Sequence, residues 1–279
     1  MFKSNSSTVT QAGDLVQLVS PTNKSIFVRL NPGGKFETHR GILYFDDLIG
    51  KSWGSQVVSH TNQIYFLLKP GLADLIQETR RNTQIMYPKD IGFILLKMSI
   101  GIGSVVVEAG TGSGALTTAL AWSVGTTGQV ISYDYRSEMQ ALARKNLEKL
   151  GLIDNVTLKL KDIGEGFDEQ NVDALFLDIP NPYEYMDKVR YCLKPGGQFG
   201  CILPTTNQVS RLLLDLHRQN FAFVDVCELL LRYYKPAASR LRPTDRMIAH
   251  TGYLIFARPI IPSIEMPPEL TEQYEFNEY

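Results

Sequence analysis

The stretch from Ser104 to Arg136, SVVVEAGTGSGALTTALAWSVGTTGQVISYDYR, decides the fold. Val105, Val106 and Val107 form a β-branched apolar run that reads as a buried strand, closed by Glu108 and Ala109. Gly110, Gly112 and Gly114, with Thr111 and Ser113 between them, let the backbone turn tightly and come close to a ligand. A helix opens near Ser113, and its first amides face the same space. A second apolar run, Gln129 to Tyr133, ends in Asp134, with Tyr135 next. Strand, glycine turn, helix, strand and terminal acid make one half of a nucleotide-binding α/β sheet.

Downstream the pattern continues. Ser137 to Leu150 has helical apolar spacing, Val156 to Leu160 is a third strand followed by Asp162, and Val172 to Leu177 is a fourth ending at Asp178. A helix from about Tyr183 to Leu193 is expected to stop at Lys194-Pro195-Gly196-Gly197. Strands at 198–203, 223–231 and 252–257 and a helix at 208–218 complete the alternation. Six crossovers imply a mostly parallel sheet covered on both faces. Upstream, Pro88 breaks the chain and Asp90 is placed to cap a helix through Met98. Before it lies a helix at 72–79. Between Gly13 and Pro70, short β segments at 14–19, 26–30, 41–45, 56–59 and 64–68 alternate with turn residues, as in a small barrel or compact sheet. The expected division is a loose arm at 1–12, a small β-rich domain at 13–70, an α/β domain at 71–259 and an acidic tail at 260–279.

The acids follow a rule. Glu108, Asp134, Asp162 and Asp178 all stand at the C-terminal ends of successive parallel strands, the edge where open α/β sheets hold ligands. Such acids also cap helices, but four in series point to one shared site. Asp178 begins the sequence Asp-Ile-Pro-Asn-Pro-Tyr, whose prolines stiffen the loop and hold Asn181 and Tyr183 beside the acid.

Composition narrows the field. With 44% hydrophobic and 20% charged residues, the 279-residue chain can build a globular core. No apolar run reaches the length of a membrane span, and the Ser/Thr-rich beginning lacks the apolar centre of a signal peptide. Cys192, Cys201 and Cys227 fit neither a disulfide framework nor a zinc site, so they read as buried thiols of a cytoplasmic protein, with no metal expected. The net charge is −1, yet five glutamates of the tail contribute to it, and without them 28 basic face 24 acidic residues. Contact with nucleic acid must then come from local basic patches, such as Arg80, Arg81, Lys89 and the run from Arg240 to Arg246, or from an oligomeric groove.

The glycine spacing is G-x-G-x-G with Glu108 two residues ahead, not the dinucleotide G-x-G-x-x-G. It resembles the first motif of class I S-adenosylmethionine (SAM) methyltransferases, which implies their Rossmann-like sheet, here with a small N-terminal β-domain. Four segments then add up: RRNTQIMYPKDIGFIL at 80–95, VEAGTGSGALTTALA at 107–121, LDIPNPYEYM at 177–186 and RPTDRMIAHTGYLIFAR at 242–258. Together they resemble the tRNA (adenine-N1)-methyltransferase family of the TrmI type, which modifies adenosine 58 of the T-loop. The resemblance implies a SAM-dependent enzyme with a tRNA substrate and a homotetrameric assembly. It assigns Gln84 and Tyr87 to the cover over SAM and the target base. Glu108 and the turn Gly110, Thr111, Gly112, Ser113 and Gly114 would hold the methionine part. Asp134 with Tyr135 would hold the ribose, and Asp162 the adenine. Asp178 would face the target adenine as the catalytic acid with Tyr87 beside it and would also border the SAM, and Tyr183, Arg246, His250 and Thr251 would line the substrate rim. A methyltransferase of a protein or small molecule, and a non-catalytic tRNA-binding subunit, are the competing readings.

Overall fold

The computed structural model describes residues 7–79 and 86–262. Gln84, Arg80, Arg81 and most of the acidic tail therefore lie outside the described residues. The chain divides into two compact units, Met1–Glu78 and Thr79–Tyr279.

The first unit contains β1 (Leu15–Val19), β2 (Ser25–Arg29), β3 (Lys35–Thr38), β4 (Gly41–Tyr44), β5 (Gln56–Val58), β6 (Ile64–Leu68) and α1 (Leu72–Glu78). An antiparallel sheet runs β2-β1-β6-β5, and β3 with β4 forms a separate hairpin. The sheet keeps two edges, so this is a compact open sheet and not a barrel. Val16, Leu18, Leu30, Leu43 and Leu67 fill its core. Strand β3 has no counterpart in the sequence reading, because KFET carries a single strong apolar residue, Phe36, between Lys35 and Glu37.

The second unit begins with α2 (Pro88–Lys97), β7 (Val105–Ala109), α3 (Ala115–Val124), β8 (Gln129–Asp134), α4 (Ser137–Leu150), β9 (Val156–Leu160) and β10 (Val172–Leu177). It continues with α5 (Met186–Cys192), β11 (Leu193–Leu203), α6 (Thr206–Arg218) and β12 (Phe221–Cys227). The small hairpin strands β13 (Tyr234–Lys235) and β14 (Arg242–Pro243) and then β15 (Tyr253–Pro259) close it. Seven strands form one sheet in the order β12-β15-β11-β10-β7-β8-β9. The centre is parallel and buried on both faces, which is why its strands read as nearly continuous Val, Ile, Leu and Phe.

Three expectations need correction. The last step is not a parallel crossover: β15 runs antiparallel between β11 and β12, reached by the excursion 228–252 that carries β13 and β14. A hairpin excursion returns the chain to the same end of the sheet, whereas a parallel return requires a crossing element. Lys194-Pro195-Gly196-Gly197 does not precede β11 but lies within it as an irregularity, the register jumping from Val172 opposite Leu193 to Ala174 opposite Gln198. Asp90 is no cap: Tyr87 occupies the N-cap, Pro88 starts α2, and Asp90 is buried in the first turn. Proline suits that position, since its missing N–H is unpaired there anyway.

Among the described residues no helix is long and apolar enough to cross a membrane.

Candidate active site

The loops that leave β7, β8, β9 and β10 all emerge at one edge of the parallel sheet and enclose two adjoining cavities. The first, about 240 Å3, is lined by Glu108, Gly110 to Ser113, Met86, Leu116 and others. The second, about 290 Å3, is lined by Asp134, Tyr135, Asp162, Ile163, Asn181 and Tyr185 among others. Gly110, Arg136, Asp178 and Pro180 border both.

The turn is held from below. Gly110 has φ +98°, and a Cβ there would come within 2.1 Å of the Asp178 carbonyl oxygen, so only glycine lets β7 and β10 end side by side. Gly114, φ +84°, is the N-cap of α3 and meets Ala143 of α4, a packing role away from either cavity. Beneath the turn, Ser132 and Thr117 hydroxyls donate to Glu108 Oε2 at 2.7 and 2.6 Å. The hydroxyls of Ser132 and Thr111 lie 2.7 Å apart, and Gln140 Nε2 donates to Thr111 Oγ1 at 3.2 Å. These buried partners belong to α3, α4 and β8, so the elements beneath the turn hold Glu108 and Thr111 in place.

The carboxylates differ in their partners. Glu108 is buried, and no donor among the described residues reaches its Oε1. Burial pushes its carboxyl up to about 7, against the pull of the two hydroxyls. Asp134 is buried and accepts from the Gly112 amide and from Arg136. Asp162 Oδ1 accepts the Gly164 amide at 2.7 Å, capping a short turn while it lines the second cavity. Asp178 opens into the groove and takes no hydrogen bond from any described residue. The surrounding protein wall desolvates it and raises it to about 6, while Arg136 pulls the other way.

The groove thus gathers Glu108, Gly110, Thr111, Gly112, Ser113, Asp134, Tyr135, Asp162 and Asp178. The remaining expected residues stand elsewhere. Tyr183 donates to Asn181 Oδ1 at 2.7 Å, with the Arg211 guanidinium 5.8 Å from its ring centre. Tyr87 precedes α2, its ring 6.0 Å from Lys89 Nζ. Thr251 joins a buried cluster: Lys89 Nζ donates to Asp90 Oδ1 at 2.7 Å and to Thr251 Oγ1 at 2.6 Å, and Thr251 donates to Asp90 Oδ2 at 2.9 Å. His250 lies 2.9 Å from Glu228 and 3.2 Å from the Pro204 carbonyl, against the Tyr253 ring. Arg246 sits exposed on the excursion. Sequence reasoning missed Arg136, although its place two residues after Asp134 was a signal, and it missed the Lys89–Asp90 pair.

The acceptor set suits a ligand with an ammonium, for Glu108, and a vicinal diol, for Asp134. No group of His, Cys, Asp and Glu able to hold a metal occurs among the described residues.

The family model described as tRNA methyltransferase complex GCD14 subunit matches residues 64–245, and that of the TrmI-like N-terminal segment matches residues 9–57. The chain belongs to the TrmI family of tRNA (adenine-N1)-methyltransferases. A TrmI of Methanocaldococcus jannaschii, named tRNA (adenine(57)-N(1)/adenine(58)-N(1))-methyltransferase, is 34% identical over 270 residues, covering 88% of this chain and 92% of that one. The crystal structure of a TrmI tRNA (m1A58) methyltransferase from Aquifex aeolicus is 33% identical with a TM-score of 0.75, covering 91% of this chain and 100% of that one. A Thermotoga maritima structure described as a SAM-dependent O-methyltransferase is 42% identical with a TM-score of 0.82, over 92% and 97% of the two chains. TrmI membership fits the glycine turn and the row of acids already described.

Proposed function

We propose that this TrmI chain methylates N1 of adenosine 58 in the T-loop of tRNA, using SAM. The observation that carries the reading is Asp178: an open carboxylate that takes no hydrogen bond from any described residue, at the junction of the two cavities. SAM, when bound, supplies an electrophilic methyl on a sulfonium. Glu108 would hold the ammonium of its methionine part, Asp134 the ribose hydroxyls, and Asp162 the adenine amino group.

Asp178 is then left to the target base. Positive charge develops on the adenine ring as N1 gains the methyl, and a carboxylate beside N1 or N6 stabilises it and accepts the N6 proton. N1 is hidden by pairing in a folded T-loop, so the base must be extruded to reach Asp178. A carboxyl near 6 is mostly ionised at neutral pH, as this role requires. Tyr87 would cover the base from the start of α2.

Two further parts belong to this reading. The enzyme would act as a homotetramer in the cytoplasm, where its substrate is. The exposed apolar side chains of Phe223, Leu230, Tyr233 and Leu241 support association of copies. The description of the Thermotoga relative names oxygen as the acceptor atom; the curated TrmI relatives favour ring nitrogen.

The test is transfer of labelled methyl to bulk tRNA followed by nucleoside analysis. Label in 1-methyladenosine is the expected result. Label on a 2′-oxygen, on protein, or nowhere would reject the reading.

A further inference from the structure

The carboxylate assigned to the ribose already has a partner that copies a ribose. Asp134 Oδ1 accepts the Arg136 backbone amide at 3.0 Å and Arg136 Nε at 3.0 Å. Its Oδ2 accepts the Gly112 amide at 3.0 Å and Arg136 Nη2 at 3.0 Å. A carboxylate offers about four lone-pair sites, so every site is taken. Two of the four donors are backbone amides, fixed by the glycine turn and the start of α4. The other two belong to a single guanidinium.

That guanidinium is the replaceable partner. The Asp134 side chain is 1% exposed, whereas that of Arg136 is 36% exposed, beside the Tyr135 ring and on the wall of both cavities. An arginine fork presents two parallel donors to the two oxygens of one carboxylate. Two adjacent ribose hydroxyls need the same two sites. Both cannot be satisfied together, because the amides of Gly112 and Arg136 already fill the rest.

We propose that Arg136 sets the affinity of the cofactor site as a built-in competitor, holding Asp134 until a ligand with a vicinal diol displaces its guanidinium. This rests on the reading of the groove as a SAM site. Binding exchanges one pair of charge-assisted bonds for another, so the diol gains less than it would at a free carboxylate. A ligand lacking both hydroxyls has no reason to evict the arginine, and a buried Asp134 never stands unpaired in either state. The released guanidinium stays on the wall it shares with Asp178.

The experiment measures binding of S-adenosylhomocysteine to the full chain by calorimetry. This ligand lacks the sulfonium, so removing a nearby positive charge does not by itself favour it. Arg136→Met keeps the length of the side chain and removes the fork, and it should bind five- to twentyfold more tightly than the wild type. Arg136→Lys keeps the charge but offers no fork, and should fall between them; it also carries the test should the methionine variant fail to fold. The 2′,3′-dideoxy analogue should gain less than twofold from either change. Equal or weaker binding of S-adenosylhomocysteine by the variants, or an equal gain for the dideoxy analogue, overturns the competitor. Absence of any binding to the wild type overturns the SAM reading as well, so the two failures are told apart.

Discussion

The parallel and antiparallel halves of the central sheet use their polar residues in opposite ways. From β9 to β10 every strand points the same way, and Asp162, Asp134, Glu108 and Asp178 come out at one edge. Their carboxylates face the groove and keep an oxygen for a ligand, or hold it with the displaceable Arg136. From β11 to β12 the chain reverses and makes its excursion, and Thr251 and His250 there are bound within the protein while Arg246 stays exposed. Thr251 bridges Lys89 and Asp90, and His250 lies between Glu228 and Pro204. The difference follows from topology. Parallel strands aim successive loops at one place, so their acids gather around a shared groove even where loop amides hold part of them. On the antiparallel side the excursion pairs His250 with Glu228 and brings Thr251 against α2.

Substitutions can break this contrast. Replacing Asp178 with Asn should lower methyl transfer about 1,000-fold, within the range for a group that stabilises charge and takes a proton. Binding of S-adenosylhomocysteine should stay within a few-fold, and a variant with full turnover would remove Asp178 from the chemistry. The second effect is on stability. Glu108 titrates near 7 in the folded chain against an ordinary value of 4.5, so folding favours its protonated form. Its ionisation therefore erodes stability as pH rises from 4.5 through 7, with no further loss above. Denaturant melts should show Glu108→Gln gaining on the wild type between pH 5 and pH 8, by about 3 kcal/mol. A pH-independent difference would contradict this.

Asp134→Ala comes next. It removes both hydroxyl acceptors, and calorimetry should show S-adenosylhomocysteine affinity falling about 100-fold, the size of two bonds to a charged group less the bonds already held by Arg136. Unchanged affinity would detach the ribose from Asp134. The smallest effect belongs to the other half of the sheet. Thr251→Val deletes the hydroxyl that links Lys89 and Asp90, and thermal or denaturant unfolding should register a loss of about 1–2 kcal/mol. Ligand affinity should not move. A large loss of affinity would show that the antiparallel half belongs to the site after all.

Much of this arrangement was legible along the chain. The valine run, the three glycines and the acids Glu108, Asp134, Asp162 and Asp178 are spaced by strand and turn geometry, which local sequence records directly. The rim residues were less so. Arg246, His250 and Thr251 were expected together because they are neighbours in sequence. Their partners Glu228, Pro204, Lys89 and Asp90 are 22 to 162 residues away, and no local period announces them. Asp90 illustrates the ambiguity: an acid early in a helix reads as a cap, until burial and a lysine alongside give it another task.

The amino-acid order by itself determined the parallel core, the glycine bend and the set of acids along its rim, because each depends on a repeat of two to four residues. Folding in three dimensions decided which of those acids keep a free oxygen, that Arg136 closes on Asp134, and that Thr251 locks the start of α2. A hydrogen bond is a matter of about 3 Å in space, and separation along the chain does not fix that distance.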